Sequence, residues 1–155
     1  MPGCEINTDD GHFLAFGLKE YSFGMHKLSF LRQKGDQVGG ILIAAHPYRR
    51  RKISTVPTIL AGTVDNMNPQ EGRNLYYQVI EGFNGRGTKE ENVFSLNLAT
   101  IQQLKVTGSS DSHQTGDLGT YATKFLEKIE CLDDLIRNLK KGSFYPVCLR
   151  TCDQA

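Results

Sequence analysis

The chain has 155 residues, enough for one domain with its own core and too few for two ordinary ones. Apolar content is 39%, charged content 23% and formal net charge +1, which excludes a disordered chain and gives no long-range field for capturing nucleic acid or a membrane surface. No apolar run approaches about 18 residues, and the start Met1-Pro2-Gly3-Cys4-Glu5 has no basic, apolar leader, so no transmembrane helix is expected and the expected compartment is the cytoplasm.

In chain order, Glu5-Ile6-Asn7 fits the end of a strand, and residues 12–18 read as a second one. Over residues 25–34, Met25, Leu28 and Leu31 share a helical face, and Gly35 stands where a C-cap would. Gly39-Gly40 opens the run 41–45, an apolar stretch typical of a strand buried on both faces. Pro47 pushes His46 toward extended backbone and ends that strand. Residues 48–75 begin with the basic run Tyr48-Arg49-Arg50-Arg51-Lys52. They are then punctuated by Pro57, Gly62, Pro69 and Gly72, which predicts loop with one short helix.

A strand is predicted over 77–83, ending at Asn84. Thr88 and Glu91 fit the T-x-x-E capping box, and the helix behind them carries Val93, Phe94, Leu96, Leu98, Ile101 and Leu104. A short strand over 105–108 leads into Gly108-Ser109-Ser110-Asp111-Ser112-His113. Residues 118–125 read equally as strand or loop. Leu132, Leu135, Ile136 and Leu139 follow helical spacing, closed by Lys140, Lys141 and Gly142, and 144–149 is a last strand. This alternation predicts an α/β fold with mostly parallel strands in a single domain, 1–155. Cys4, Cys131, Cys148 and Cys152 include no C-x-x-C pair and are expected to be free thiols rather than a zinc knuckle or a disulfide framework.

Three of the four histidines lie in polar clusters at the ends of apolar runs. Asp111 and His113, two apart, point the same way if their segment is extended, or are solvated turn residues if it is not. His46, at the end of a buried strand, is either a satisfied core histidine or a ligand. Glu5, between Cys4 and Ile6, is an odd place for a carboxylate without a partner, and His12 opens the next apolar run. Together Glu5, His12, His46, Asp111 and His113 offer oxygen and nitrogen ligands without a thiolate, a set suited to Zn²⁺, Mn²⁺ or Fe²⁺ in a hydrolytic site. Arg49 and Arg50 come soon after His46 and would serve as a phosphate clamp, unless the basic run is a solvated loop. His26 has no carboxylate neighbour and reads as structural or solvent-facing.

These clusters resemble the PHP (polymerase and histidinol phosphatase) family of metal-dependent phosphoesterases. Pro2-Gly3-Cys4-Glu5-Ile6-Asn7 with Gly11-His12 resembles its P-G-x-E-I and G-H segments, and Ile43-Ala44-Ala45-His46-Pro47-Tyr48 its A-H-P strand end. Gly108-Ser109-Ser110-Asp111-Ser112-His113 resembles its G-S-D-x-H motif with one extra serine. The stretch from Asp117-Leu118-Gly119 to Thr123-Lys124-Phe125 resembles the family's segment on the C-terminal side of that motif. The resemblance implies a distorted (β/α)7 barrel binding one to three divalent metals. Glu5 would bridge two of them, His12 and His46 would complete the second, Asp111 would join Glu5 on the first, and His113 would belong to the third. It also implies hydrolysis of phosphomonoesters, nucleotides or oligonucleotide phosphates through a metal-bound hydroxide.

The family's leading H-x-H strand has no counterpart before His12. A barrel also usually takes about 250 residues, so the expectation is an incomplete barrel, the C-terminal portion of the family fold. The alternative is a non-catalytic or truncated metal-binding module needing the missing N-terminal segment or a partner subunit, a second copy included. A nucleic-acid binder built on residues 49–52 is disfavoured by the neutral net charge.

Overall fold

The computed structural model describes residues 3–49 and 77–150. Among these residues, seven strands and three α-helices are arranged in the order β1 (Gly3–Thr8), β2 (Gly11–Phe16), α1 (Leu28–Gln37), β3 (Ile41–Ala45), β4 (Val79–Asn84), α2 (Lys89–Gln102), β5 (Lys105–Ser109), β6 (Tyr121–Phe125), α3 (Leu132–Lys141) and β7 (Phe144–Cys148). The first five strands form one sheet in the order β1-β2-β3-β4-β5, and β6 and β7 pair separately as an antiparallel ribbon. The fold is α/β, as expected.

Parallel pairing holds for β3–β4 and β4–β5, whereas β1–β2 and β2–β3 are antiparallel. The expectation of mostly parallel strands thus describes one half of the sheet. The β1–β2 pair departs from it because only Asp9 and Asp10 separate the two strands, and a two-residue connection reverses the chain while a parallel pair needs a long crossover; β2–β3 is antiparallel although α1 lies between its strands. Among the described residues β1 is an outer strand paired on one side only, so the sheet is open and does not close into a barrel. No described helix is long and apolar enough to cross a membrane.

β3 shows why this sequence makes a layered fold. All five residues of Ile41–Ala45 are buried. Leu42 and Ala44 join Phe13, Ala15, Ile80, Leu31 and Leu98 beneath α1 and α2, while Ile41 and Ile43 join Val79, Ile136, Leu139 and Phe144 beneath α3 and β7. Period-two alternation in a strand covered on both faces therefore divides one apolar run between two cores.

Four local readings change. Gly35 lies inside α1, buried, and its carbonyl accepts the Gly40 N–H at 2.7 Å; the helix ends at Val38 and Gly39 instead. In α2 the Thr88–Glu91 capping box is present, but Val93 and Ile101 face solvent and the buried positions include Asn92 and Ser95. The residues 118–125 resolve into strand β6 over their second half. Cys4 and Cys131 are free thiols as expected, whereas Cys148, whose residue stands exposed at the end of β7, is disulfide-bonded. The loop and short helix expected within 48–75 lie almost wholly outside the described residues, as do Arg50, Arg51 and Lys52.

Gly40 anchors the approach to β3. A Cβ added there would lie 2.4 Å from the backbone oxygen of Phe16, which cannot swing aside as a side chain can. Gly40→Ala is therefore expected to cost about 1–3 kcal/mol of unfolding free energy in urea titrations. An unchanged midpoint would show that β2 and β3 separate at that end more easily than their close approach indicates.

Candidate metal centre

The β1–β2 hairpin positions the first two candidate ligands. Glu5 pairs with Leu14 and Asn7 with His12, so Glu5 and His12 are diagonal neighbours on one sheet face. His12 in turn lies opposite Ala45, the last residue of β3, which brings His46 alongside. Glu5 Oε1 is 2.6 Å from His12 Nδ1 and 3.2 Å from His46 Nε2, and the two imidazoles meet edge to face with centroids 5.0 Å apart. One ligand atom from each of the three residues lies within 4.8 Å of the other two. Ligand bonds of about 2.0–2.2 Å to one first-row cation demand that kind of convergence.

His46 departs from its expected conformation. Its φ is 29°, left-handed rather than extended, a region in which residues other than glycine are strained by about 1–3 kcal/mol. The physical reason is a clamp: the His46 N–H donates to Glu81 Oε2 at 2.7 Å. Glu81 is only 3% exposed. Its Oε2 also accepts from Asn84 Nδ2 at 2.9 Å, and its Oε1 accepts from the Ser109 hydroxyl. Asn84, equally buried, accepts at Oδ1 from the Arg86 and Gly87 N–H groups at 2.9 and 3.0 Å and from the Arg49 guanidinium. Sequence reasoning passed over Glu81 and used Asn84 only as a strand end. The available signal was a carboxylate inside the apolar run of β4, which needs buried donors around it.

Asp111 and His113 meet, though not by strand alternation. Asp111 has φ 46° and lies beyond β5, so the chain turns there. His113 Nε2 is 3.5 Å from Asp111 Oδ1. Asp111 forms an ion pair with Arg49 and accepts from Asn84 Nδ2 at 3.2 Å. Burial would raise the Asp111 carboxyl, but the hydrogen bonds from Arg49 and Asn84, with the charges of Arg49 and His46, outweigh it and hold the group below the usual carboxylate range. Among the described residues Asp111 and His113 thus stay apart from the Glu5–His12–His46 group, although they line the same cavity. His26 is exposed, in the turn before α1, and its carbonyl accepts the Asp9 N–H at 2.8 Å.

That cavity encloses about 510 Å³ beside the carboxyl ends of β3 and β4, the end of an α/β sheet where ligands usually bind. Arg49 and Arg86 face it, as do Glu5, Asp9 and Asp111. Among the described residues, two guanidiniums against three carboxylates leave an excess of negative charge when the imidazoles are neutral. A divalent cation at Glu5, His12 and His46 reverses that sign, so the donor set and its surroundings both suit a cation.

Residues 89–144 match the family model described as PHP-associated. That match runs from α2 to the start of β7; it includes Asp111 and His113 and leaves Glu5, His12 and His46 outside it. No curated protein sequence matches the chain. Among solved structures, PsfC from Pseudomonas syringae PB-5123 superposes with a TM-score of 0.65 at 17% identity, covering 95% of this chain and 58% of that one. A "putative metal-dependent phosphoesterase" from Bifidobacterium adolescentis ATCC 15703 superposes with a TM-score of 0.40 at 20% identity, covering 75% of this chain and 37% of that one. The likeness to PsfC is one of fold, and this chain spans little more than half of that protein's length.

Proposed function

We propose that this chain, taken as one PHP-like domain over 1–155, is the metal-holding part of a phosphoesterase that acts in the cytoplasm on a phosphorylated small molecule or the phosphate end of an oligonucleotide. The observation that carries the proposal is the convergence of Glu5, His12 and His46 within 4.8 Å at the wall of a cavity that also presents arginine. One carboxylate oxygen and two imidazole nitrogens suit Zn²⁺, Mn²⁺ or Fe²⁺. A cation held there supplies Lewis acidity toward a phosphoryl oxygen and makes water a better nucleophile near neutral pH. The protein supplies the rest. Glu5 Oε1 faces both imidazoles, Glu81 holds the His46 backbone, and Asp111 keeps Arg49 against the wall.

A second reading, a metal-binding module that turns over substrate only with a further segment or a partner subunit, is favoured by β1. This strand carries Glu5, and among the described residues its outer edge has no strand beside it. An unpaired edge is a ready template for another strand, and in this reading that strand completes the barrel. Metal-free protein titrated with Zn²⁺ or Mn²⁺ and then assayed on p-nitrophenyl phosphate separates the two. Uptake near one ion per chain with turnover supports the esterase. Uptake without turnover between about pH 6 and 9 supports the module, because that window spans the useful protonation states of most acid–base groups. No uptake removes both.

A further inference from the structure

Among the described residues two arginines face the cavity, and they are held differently. The Arg49 guanidinium is committed to the protein, in its ion pair with Asp111 and its hydrogen bond to Asn84 Oδ1. The Arg86 guanidinium makes no hydrogen bond or ion pair among the described residues; Asp117 feels its charge without pairing with it. Its backbone, by contrast, is fixed. The Arg86 and Gly87 N–H groups donate to Asn84 Oδ1, and the Gly85 N–H donates to the Ser109 carbonyl at 2.9 Å. A Cβ at Gly85 would lie 2.8 Å from the Ser110 carbonyl oxygen, so the loop is packed tightly against the start of the Asp111 turn. A rigid mount thus carries one uncommitted planar cation into the cavity walled by Glu5, His12 and His46.

We infer that Arg86, rather than Arg49, receives the anionic end of the ligand, and that this end is a terminal phosphate or a tetrahedral oxyanion of the same shape. The inference deepens the proposed function and rests on it in treating the cavity as a substrate site. A guanidinium fork matches two oxygens of a tetrahedral anion, and a donor with no protein partner to give up loses nothing on binding one. Arg49 would first have to leave Asp111 and turn that half-buried carboxylate, unpaired, toward the incoming anion, which opposes binding.

Inorganic phosphate is the probe, titrated calorimetrically into metal-free and Zn²⁺-loaded protein. Arg86→Gln is expected to weaken phosphate binding about tenfold or more in the loaded form. Arg86→Lys should recover part of that loss, because it keeps the charge and loses the fork. Zn²⁺ uptake should be the same in all three proteins, which shows that the metal ligands have not moved. Phosphate affinity within about twofold of the wild type in Arg86→Gln overturns the inference, as does a wild type that binds phosphate in neither form. A wild type that takes up no Zn²⁺ sinks the metal reading separately, since the metal-free titration still reports whether phosphate affinity depends on Arg86.

Discussion

Replacing Glu81 by leucine is expected to destabilise the protein by about 3 kcal/mol or more, and replacing it by glutamine by much less. The two substitutions remove the same charge and differ in what they leave behind. Leucine removes the acceptor of three donors around a residue that is 3% exposed: the His46 N–H, one N–H of the Asn84 amide, which keeps its bond to Asp111, and the Ser109 hydroxyl. Each unsatisfied buried donor costs about 1–3 kcal/mol. Glutamine keeps an oxygen where His46 and Asn84 need an acceptor. Its amide then faces the Ser109 hydroxyl, which can turn to accept because it is both donor and acceptor. Freed from its clamp, His46 should relax from φ 29°, and divalent metal affinity in the leucine variant should fall about 10–100-fold, the usual effect of removing a group that orients a metal ligand. Urea unfolding and a Zn²⁺ titration on both variants decide the matter. Equal losses from leucine and glutamine would mean that the charge of Glu81, and not its hydrogen bonds, supports the wall.

How much was legible in the sequence depends on the range of each interaction. The Thr88–Glu91 capping box and the left-handed Gly142 cap are local, set by residues three or four apart, and both stand as read. The apolar run 41–45 was legible because burial on both faces removes the need for alternation. The inward face of α2 was not legible. The apolar residues named for this helix include Val93 and Ile101, which lie outward, while the buried Asn92 is drawn inward by the end of β4, accepting the Asn84 N–H at 3.0 Å and donating to its carbonyl at 3.2 Å. Gly35 failed as a helix stop for a similar reason: α1 continues past it, and its bare Cα faces Leu42 of β3. In the site, Glu5, His12 and His46 were legible as residue types, while the network behind them was not. It joins His46 to a carboxylate 35 positions away, and no spacing rule reaches that far.

Glu5→Ala is expected to separate binding from folding more cleanly than any other substitution in the site. Glu5 and His12 are each 42% exposed at the side chain, and an exposed pair of this kind contributes about 0–1 kcal/mol. The metal-free variant should therefore unfold within about 1 kcal/mol of the wild type. The metal-loaded proteins should differ sharply. A ligand that binds only the folded state adds about 2.7 kcal/mol of stability at a hundred times its dissociation constant, so saturating Zn²⁺ or Mn²⁺ should raise the wild-type melting temperature by several degrees. Glu5→Ala should show little of that rise, because one oxygen of Glu5 faces both imidazoles and its loss leaves two neutral nitrogens with no charge to offset the cation. His12→Ala should keep part of it through Glu5 and His46. Thermal melts of the three proteins with and without metal give the answer. A full metal-induced rise in Glu5→Ala would place the cation elsewhere in the cavity, where Asp9 and Asp111 are the remaining carboxylates among the described residues of its walls.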